Sequence, residues 1–413
     1  MNSLQLTKIK QHFTNNSLPD VKGEVSRELL KLQPLIQPDA SIAIAVGSRG
    51  IKDLLLIVKE VAEFIKKNKA HPFVVPAMGS HGGATAEGQK GILADYGISE
   101  KNIGVPVQSS MEVAELPQGD SPVPVYMDRQ AYESDGVILI NRIKQHTDYH
   151  STYESGMVKM SVIGLGKEKE ASAIHQHGVK GLSVFIPLVA KEIFATGKIL
   201  GGIAIVENAY DETMLVKALK TDEFFEEEPA LLEIASKNMP SLPFNNIDML
   251  IIDQLGKNLS GVGIDPNIIG RTKIFGQKEP DKPTIKAILV SDLTDETHGN
   301  AMGIGLADVI TRKLYDKIDF PSTYTNIITS SFLERGKVPI VAETDKEAYE
   351  IALRSCGYLK KGEEKIMRIK NTLNLGEVYV SQAILKEIKN SGRIEIVKEN
   401  VSLFKNETDF SSF

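Results

Sequence analysis

The sequence predicts an α/β protein: two α/β domains with an active-site cleft between them. Three observations lead there. Short apolar runs alternate with longer stretches of helical periodicity, the pattern of strands carrying helices on their faces. A polar, proline-containing stretch, residues 239–246, interrupts that rhythm, which then restarts. The 413 residues, 42% hydrophobic and 25% charged, exceed one ordinary core but suit two.

The elements follow in order. Residues 41–46 (SIAIAV) read as a buried strand ending at Gly47. Residues 52–67 place Leu55, Leu56, Val58, Val61, Ala62 and Ile65 at helical spacing. Residues 72–76 are the next strand and 85–96 the next helix. Residues 136–141 (GVILIN) and 202–206 are further strands. Past the break come strands at 249–253 and 286–290, then helices at 302–314 and 346–354. The expected domains are 1–243, binding a cofactor, and 244–413, whose last residues could pack back on the first. The acidic run Glu226 to Glu228 reads as a solvated helix face.

Charge and composition exclude several classes. With 48 Lys plus Arg against 54 Asp plus Glu, the net charge is −6, so the chain lacks the basic footprint of a nucleic-acid binder. A single cysteine, Cys356, rules out an intrachain disulfide or a Cys-rich metal site. The start, MNSLQLTKIKQHF, has no apolar core of a signal peptide, and no run of 18 apolar residues exists. The expectation is a cytoplasmic protein without membrane or nucleic-acid partners, with oligomer formation allowed.

Three polar segments follow strands directly: Gly47-Ser48-Arg49-Gly50, Gly79-Ser80-His81-Gly82-Gly83, and Asn141-Arg142-Ile143-Lys144-Gln145-His146. In open α/β sheets ligands sit at the carboxyl ends of strands, so these loops are the candidate site. Glycines there either make tight turns or expose backbone N–H groups to an anion. Of eight histidines, His146, His150, His175 and His177 lie close in sequence around Lys159. They suit metal ligation, acid–base work or a plain polar surface. His298 is either part of a capping loop or a second-domain site residue. Lys159 lies between Met157-Val158 and Met160. It either snorkels from a strand edge, or becomes a neutral nucleophile in an apolar pocket.

At these residues the chain resembles the lactate racemase family, whose members carry a nickel-pincer nucleotide. The resemblance rests on Ser155-Gly156-Met157-Val158-Lys159 followed by His175 sixteen residues later, on Gly79-Ser80-His81, on Ser48-Arg49, and on His146-Thr147-Asp148-Tyr149-His150. It implies that Lys159 is joined to the nucleotide through a thioamide and that His175 is the one protein ligand to nickel. Ser48, Ser80 and Gly156 would line the nucleotide. His81 and His146 would be the two acid–base residues, Arg49 the carboxylate anchor, and Lys257 the lysine contributed by the second domain. The implied activity is inversion of C2 in a 2-hydroxy acid by proton-coupled hydride transfer, and cofactor-synthesis enzymes become implied partners. Val46 stands where the family carries Asp, Met157-Val158 replace Gly-Arg, and His146 lies 13 residues before Lys159. With the polar segments 145–153 and 258–267, these departures shift the expected substrate from lactate to a sugar acid or dicarboxylate. The competing readings are a Schiff-base lyase or aldolase built on Lys159, and a non-catalytic binder of an anionic metabolite. His150 and His177 are alternates for the histidine roles.

Overall fold

The computed structural model describes residues 4–48 and 50–413. The chain forms two compact units, residues 14–239 and residues 4–13 together with 240–413. Its first strand, β1 (Gln5–Gln11), belongs to the second unit. The expected first domain, 1–243, therefore loses its opening residues. Both faces of β1 are buried in the later unit, Leu6 entering the core on one side of its sheet and Ile9 the core on the other. The closing strand is in that unit too, paired with β1.

In the first unit, β2 (Ser41–Val46) pairs in parallel with β3 (His71–Pro76). A separate two-stranded ribbon follows, β4 (Val113–Leu116) with β5 (Val125–Asp128). Then come β6 (Gly136–Arg142), β7 (Ile199–Glu207) and β8 (Thr213–Lys220). The main sheet has the order β3-β2-β6-β7-β8, with only β8 antiparallel. β2 is apolar on both sides because both sides are covered. Ala43 and Ala45 enter one core, while Ile42, Ile44 and Val46 enter the other. The helix Leu54–Lys67 turns Leu54, Ile57, Val58, Val61, Ala62 and Ile65 toward the second of these cores.

The second unit adds β9 (Asn246–Leu255), β10 (Thr284–Leu293), β11 (Val309–Thr311), β12 (Ile340–Ala342), β13 (Ile366–Ile369), β14 (Glu377–Val380) and β15 (Ile394–Ser402). Its sheet runs β12-β11-β10-β9-β13-β14-β1-β15, parallel from β12 to β13. The helix expected at 302–314 is not there. Gly303, at φ 88°, begins a short 3₁₀ turn, and the branched Val309-Ile310-Thr311 form a fully buried strand before a short helix, Arg312–Tyr315. Among the described residues, no helix is long and apolar enough to cross a membrane.

Candidate active site

The first unit places its switch point between β2 and β6. From β2 the chain moves outward to β3, then returns to β6 on the other side. The loops leaving these strands diverge there and leave a crevice at their carboxyl ends. Gly47 sits at this edge: a Cβ on it would lie 3.5 Å from the Asn141 side chain across the gap.

Ser48 and His81 meet across two loops, Ser48 Oγ lying 2.5 Å from His81 Nδ1. The Ser48 carbonyl accepts a hydrogen bond from the Tyr96 hydroxyl at 2.8 Å. His81 is exposed, and the backbone before it is pressed into place. Gly79 has φ +61°, and a Cβ there would come within 3.0 Å of the Ile163 carbonyl. Its N–H donates to the Gly164 carbonyl at 3.2 Å. The His81 loop is thereby fastened to the helical turn just beyond Lys159. Ser80, beside it, is exposed. Arg49 lies outside the described residues.

Beneath the His81 loop is a network of polar side chains. Lys167 is fully buried and donates to the Pro76 carbonyl at 2.5 Å and to Gln89 Oε1 at 3.2 Å. It also lies 2.9 Å from the equally buried Asp128 carboxylate. Gln89 passes the tether on, donating to the Gly79 and His81 carbonyls at 2.8 and 3.2 Å. Burial pushes the Lys167 pKa down, and the Asp128 carboxylate opposes it.

The loop after β6 carries the second group. Glu154, buried, accepts from the backbone N–H groups of His146 (2.7 Å) and Ser151 (3.1 Å), and lies 3.1 Å from His150 Nδ1. Ser155 Oγ closes the loop by donating to the Lys144 carbonyl at 2.6 Å. Tyr149 is buried and its phenol donates to the Glu154 carbonyl at 3.0 Å. Burial and the carboxylates of Glu154 and Asp148 hold its pKa well above the ordinary tyrosine value, so it stays a phenol. The His146 and Tyr149 rings lie 4.7 Å apart, and the Lys159 ammonium lies 5.0 Å from the Tyr149 ring centre. The Asp148 N–H donates to His146 Nδ1 at 3.1 Å. A neutral His146 in this arrangement carries its proton on Nε2.

Lys159 is half-buried on a helical segment, not a strand edge. Residues 157–159 are α-helical and residues 160–164 wind as a π turn, a distortion that recurs at functional sites. Gly156 makes the entry at φ +103°, where a Cβ would press on Ile143 and Glu228 at 2.7 and 2.9 Å. Glu228 Oε1 accepts the first N–H groups of this helix, from Met157 and, at 3.0 Å, from Val158. Glu228 was expected on a solvated face; instead it is 1% exposed. It lies on the buried face of its helix with Phe224, Leu231 and Ala235, and there it fills the cap of the Lys159 helix. Burial pushes its pKa up to about 8. His175 ends the helix Lys167–His175 with one face open to solvent. The protein around it and the Lys159 ammonium push its pKa below the usual histidine value, with Asp148 opposing. The shift favours the neutral imidazole, the form with a lone pair to offer. His177 packs edge-on against Phe185 at 4.9 Å, and the exposed His298 closes a 3₁₀ turn in the second unit.

The first unit thus gathers two sets of predicted residues: Ser48 with His81, and His146 with Lys159 and His175. Lys257 belongs to the second unit, on the loop after β9, where its ammonium donates to the Asn326 carboxamide. Sequence reasoning missed Asp128, Gln89, Lys167 and Glu228. Fully buried charge leaves no local spacing to read; its partners here come from distant segments.

Fold and site together define a two-unit α/β protein with a lysine- and histidine-bearing crevice at a sheet switch point. Residues 23–183 match the family described as lactate racemase N-terminal domain, and that segment holds Ser48, His81, His146, Lys159 and His175. The chain shares the fold of the lactate racemase apoprotein from Thermoanaerobacterium thermosaccharolyticum, with a TM-score of 0.51 at 13% identity over 89% of this chain and 98% of that one. A structural-genomics protein from Thermotoga maritima is similar in fold, with a TM-score of 0.50 at 13% identity over 86% of this chain and 97% of that one. No curated protein matches the sequence.

Proposed function

We propose that the protein is an isomerase, a racemase or epimerase inverting C2 of a 2-hydroxy acid, with a sugar acid or dicarboxylate preferred over lactate. One observation carries this reading. Two histidine-bearing loops are fixed to one lysine helix: the His81 loop through Gly79 and Gly164, and the His146 loop through Tyr149, beneath the Lys159 ammonium. The match of residues 23–183 supports it.

The residues suit a nickel-pincer nucleotide. Among the described residues, no three His, Cys, Asp or Glu side chains cluster to hold a metal ion. A nickel ion that brings its own sulfur and carbon donors needs one more, and the neutral His175 imidazole is such a donor. Lys159, half-buried beside it, would carry the nucleotide, with Ser48 and Ser80 on neighbouring loops. When bound, the group supplies a carbon that accepts and returns hydride.

The chain's own residues would handle the protons. Inverting a hydroxyl-bearing carbon requires one group to take the hydroxyl proton and another to deliver one on the opposite side. The two histidines differ in a way that suits this division. His81 Nδ1 faces a serine hydroxyl, which either donates or accepts, so its Nε2 can be bare and act as a base. His146 Nδ1 accepts from a backbone N–H, so Nε2 of the neutral ring carries the proton and would donate a hydrogen bond to the substrate oxygen; delivering that proton requires the imidazolium, in which Nδ1 gives up its acceptor role. Arg49 would anchor the substrate carboxylate, and a fork of N–H donors holds it while the carbon changes face.

The test is a panel of 2-deuterated hydroxy acids given to protein co-expressed with pincer-synthesis enzymes, with nickel measured alongside. Inversion with a primary isotope effect at C2 for a sugar acid or dicarboxylate is the expected result. Lactate turned over equally well removes the substrate assignment, and no inversion of any hydroxy acid by nickel-loaded protein removes the reaction.

A further inference from the structure

One carboxylate ties together two of the loops that carry the site, and the proposed reaction gives it no part. Glu207 is the last residue of β7, the strand next to β6 in the sheet. Its Oε1 accepts the Lys52 N–H at 2.9 Å, and its Oε2 accepts from Arg142 Nη1. Lys52 lies on the loop that leaves β2, four residues beyond Ser48. Arg142 is the last residue of β6, where the loop to His146 begins. Glu207 therefore reaches back past β6 to the chain leaving β2.

The strand register explains the meeting. Ile140 and Ile205 both enter the core that the helix Leu54–Lys67 covers. Two residues further along their strands, Arg142 and Glu207 leave the sheet on that same face, beside the chain that enters this helix. The Glu207 side chain is 5% exposed and that of Arg142 18%. A carboxylate so deep needs its charge met, and here one guanidinium and one backbone N–H meet it.

The two loops differ in their other supports. The one after β6 has Glu154 and Ser155 within it, and Asn141, beside Arg142, donates to the Gly156 carbonyl at 2.9 Å. The one after β2 is held at Ser48 by Tyr96. Past Ser48, its side-chain ties among the described residues are Glu207 on the Lys52 N–H, Glu212 on the Lys52 ammonium, and the Thr213 hydroxyl on Asp53. The Lys52 ammonium is half exposed, so its pair with Glu212 is weak. We propose that Glu207 is a positioning residue: through Lys52 it holds the loop leaving β2 so that Ser48 stays against His81. Its consequence for turnover rests on the proton-handling role proposed for His81.

The experiment is NMR of the full chain with labelled histidine rings, comparing Glu207→Ala, Glu207→Gln and Ser48→Ala. Glu207→Gln keeps an acceptor for the Lys52 N–H, and Glu207→Ala keeps none. The remote control is Lys370→Ala. Lys370 lines a cavity of about 410 Å³ at the carboxyl ends of β9, β10 and β13, together with Asp253, Arg368, Phe410 and Phe413. That edge is the second unit's own switch point, where the chain returns from β12 to β13 beside β9. The His81 ring signals should move in Glu207→Ala as they do in Ser48→Ala, move less in Glu207→Gln, and stay in Lys370→Ala. His298, in the second unit, should stay in all four. Turnover by nickel-loaded protein should fall about fivefold or more in Glu207→Ala and less in Glu207→Gln. Unmoved His81 signals in the folded Glu207 variants would overturn the proposal. So would His298 moving as far as His81, since that is general loosening. Should Glu207→Ala fail to fold by circular dichroism, Glu207→Gln decides alone. Moved His81 signals with unchanged turnover would support the positioning by Glu207 and count against the role given to His81.

Discussion

At the carboxyl edge of β3, β2 and β6, loops leave the sheet carrying His81, Ser48 and His146, the last loop leading on to the helix of Lys159. At the corresponding edge of β9 and β13, the crevice is lined by Asp253 and Arg368, with Phe410 and Phe413 against the guanidinium. Both edges are topological switch points, where diverging loops leave a crevice regardless of sequence. The difference lies in what the charges do. In the second crevice the central Arg368 is bidentate to one carboxylate, a fixed recognition arrangement. In the first, the functional side chains sit at or near the surface, while buried charges beneath them (Lys167 with Asp128, and Glu228) hold the backbone they stand on. Topology provides a place, and the loops and their supports decide the chemistry.

The sharpest way to break this comparison is Lys159→Ala. It should abolish attachment of the nucleotide and reduce turnover to background, while the fold remains intact, because a half-buried lysine carries little of the core. Intact mass and circular dichroism check both halves. Lys370→Ala, in the other crevice, should leave turnover within about twofold, since interactions made only in a transition state are local to the reacting atoms. Loss of soluble protein on Lys159→Ala would make that lysine structural.

Next in size is Lys167→Met. It leaves Asp128 buried without its ion partner, and breaking a buried pair costs about 3–5 kcal/mol. Denaturant unfolding should show that loss, and the double variant with Asp128→Asn should be more stable than Lys167→Met alone. Turnover should fall as well, since Gln89 and the His81 carbonyl lose their tether. Equal stability of the single variant and the unmodified protein would show that the network supports nothing.

The parts legible in the sequence were those written locally. Residues 41–46 and 136–141 are uninterrupted apolar runs, and both are strands. The helix at 52–67 shows its buried face by period alone. The polar loops after these strands stand out because they combine glycine with histidine or a cation. What stayed hidden was set at long range. β1 reads as an ordinary amphipathic start, and only pairing with β14 and β15 assigns it to the later unit. β11 is three residues long, too short to register against helical spacing on either side. Glu228 sits in an acidic run whose other members face water, and its value as a cap depends on a helix 70 residues earlier in the chain.

Glu228 gives the third prediction. Its folded carboxyl keeps its proton up to about 8, whereas in the unfolded chain it releases it near 4.5. Between those values folding takes up a proton, so this residue makes stability fall as pH rises, by up to about 1.4 kcal/mol per pH unit. Glu170, raised to about 7 by burial, acts in the same direction. Glu228→Gln keeps an acceptor for Met157 and Val158 but has no charge to bury. It should flatten the decline between pH 5 and 8, measured by urea unfolding at each pH, and be the more stable protein at pH 8. A variant with the unmodified slope would show that Glu228 does not titrate in this range.

The smallest effect expected is also the one that bears most directly on how the first crevice works. Ser48→Ala removes the hydroxyl facing His81 Nδ1 at 2.5 Å, while the Ser48 carbonyl still accepts from Tyr96. A hydrogen bond of this kind contributes about 1 kcal/mol, so turnover should fall roughly five- to tenfold, with a change of no more than a few degrees in Tm. If Ser48 only fills space, turnover should be unchanged. If it orients the ring, the pH profile of kcat/KM should also move, because the hydroxyl adapts to the His81 proton in a way that alanine cannot. The backbone N–H on His146 Nδ1 has no such freedom, so a substitution at Asp148 that keeps the backbone, Asp148→Asn, should leave that tautomer in place. A shifted profile in Ser48→Ala with an unshifted one in Asp148→Asn would separate the adaptable histidine from the fixed one; equal shifts in both would remove the distinction between base and acid drawn from the two contacts.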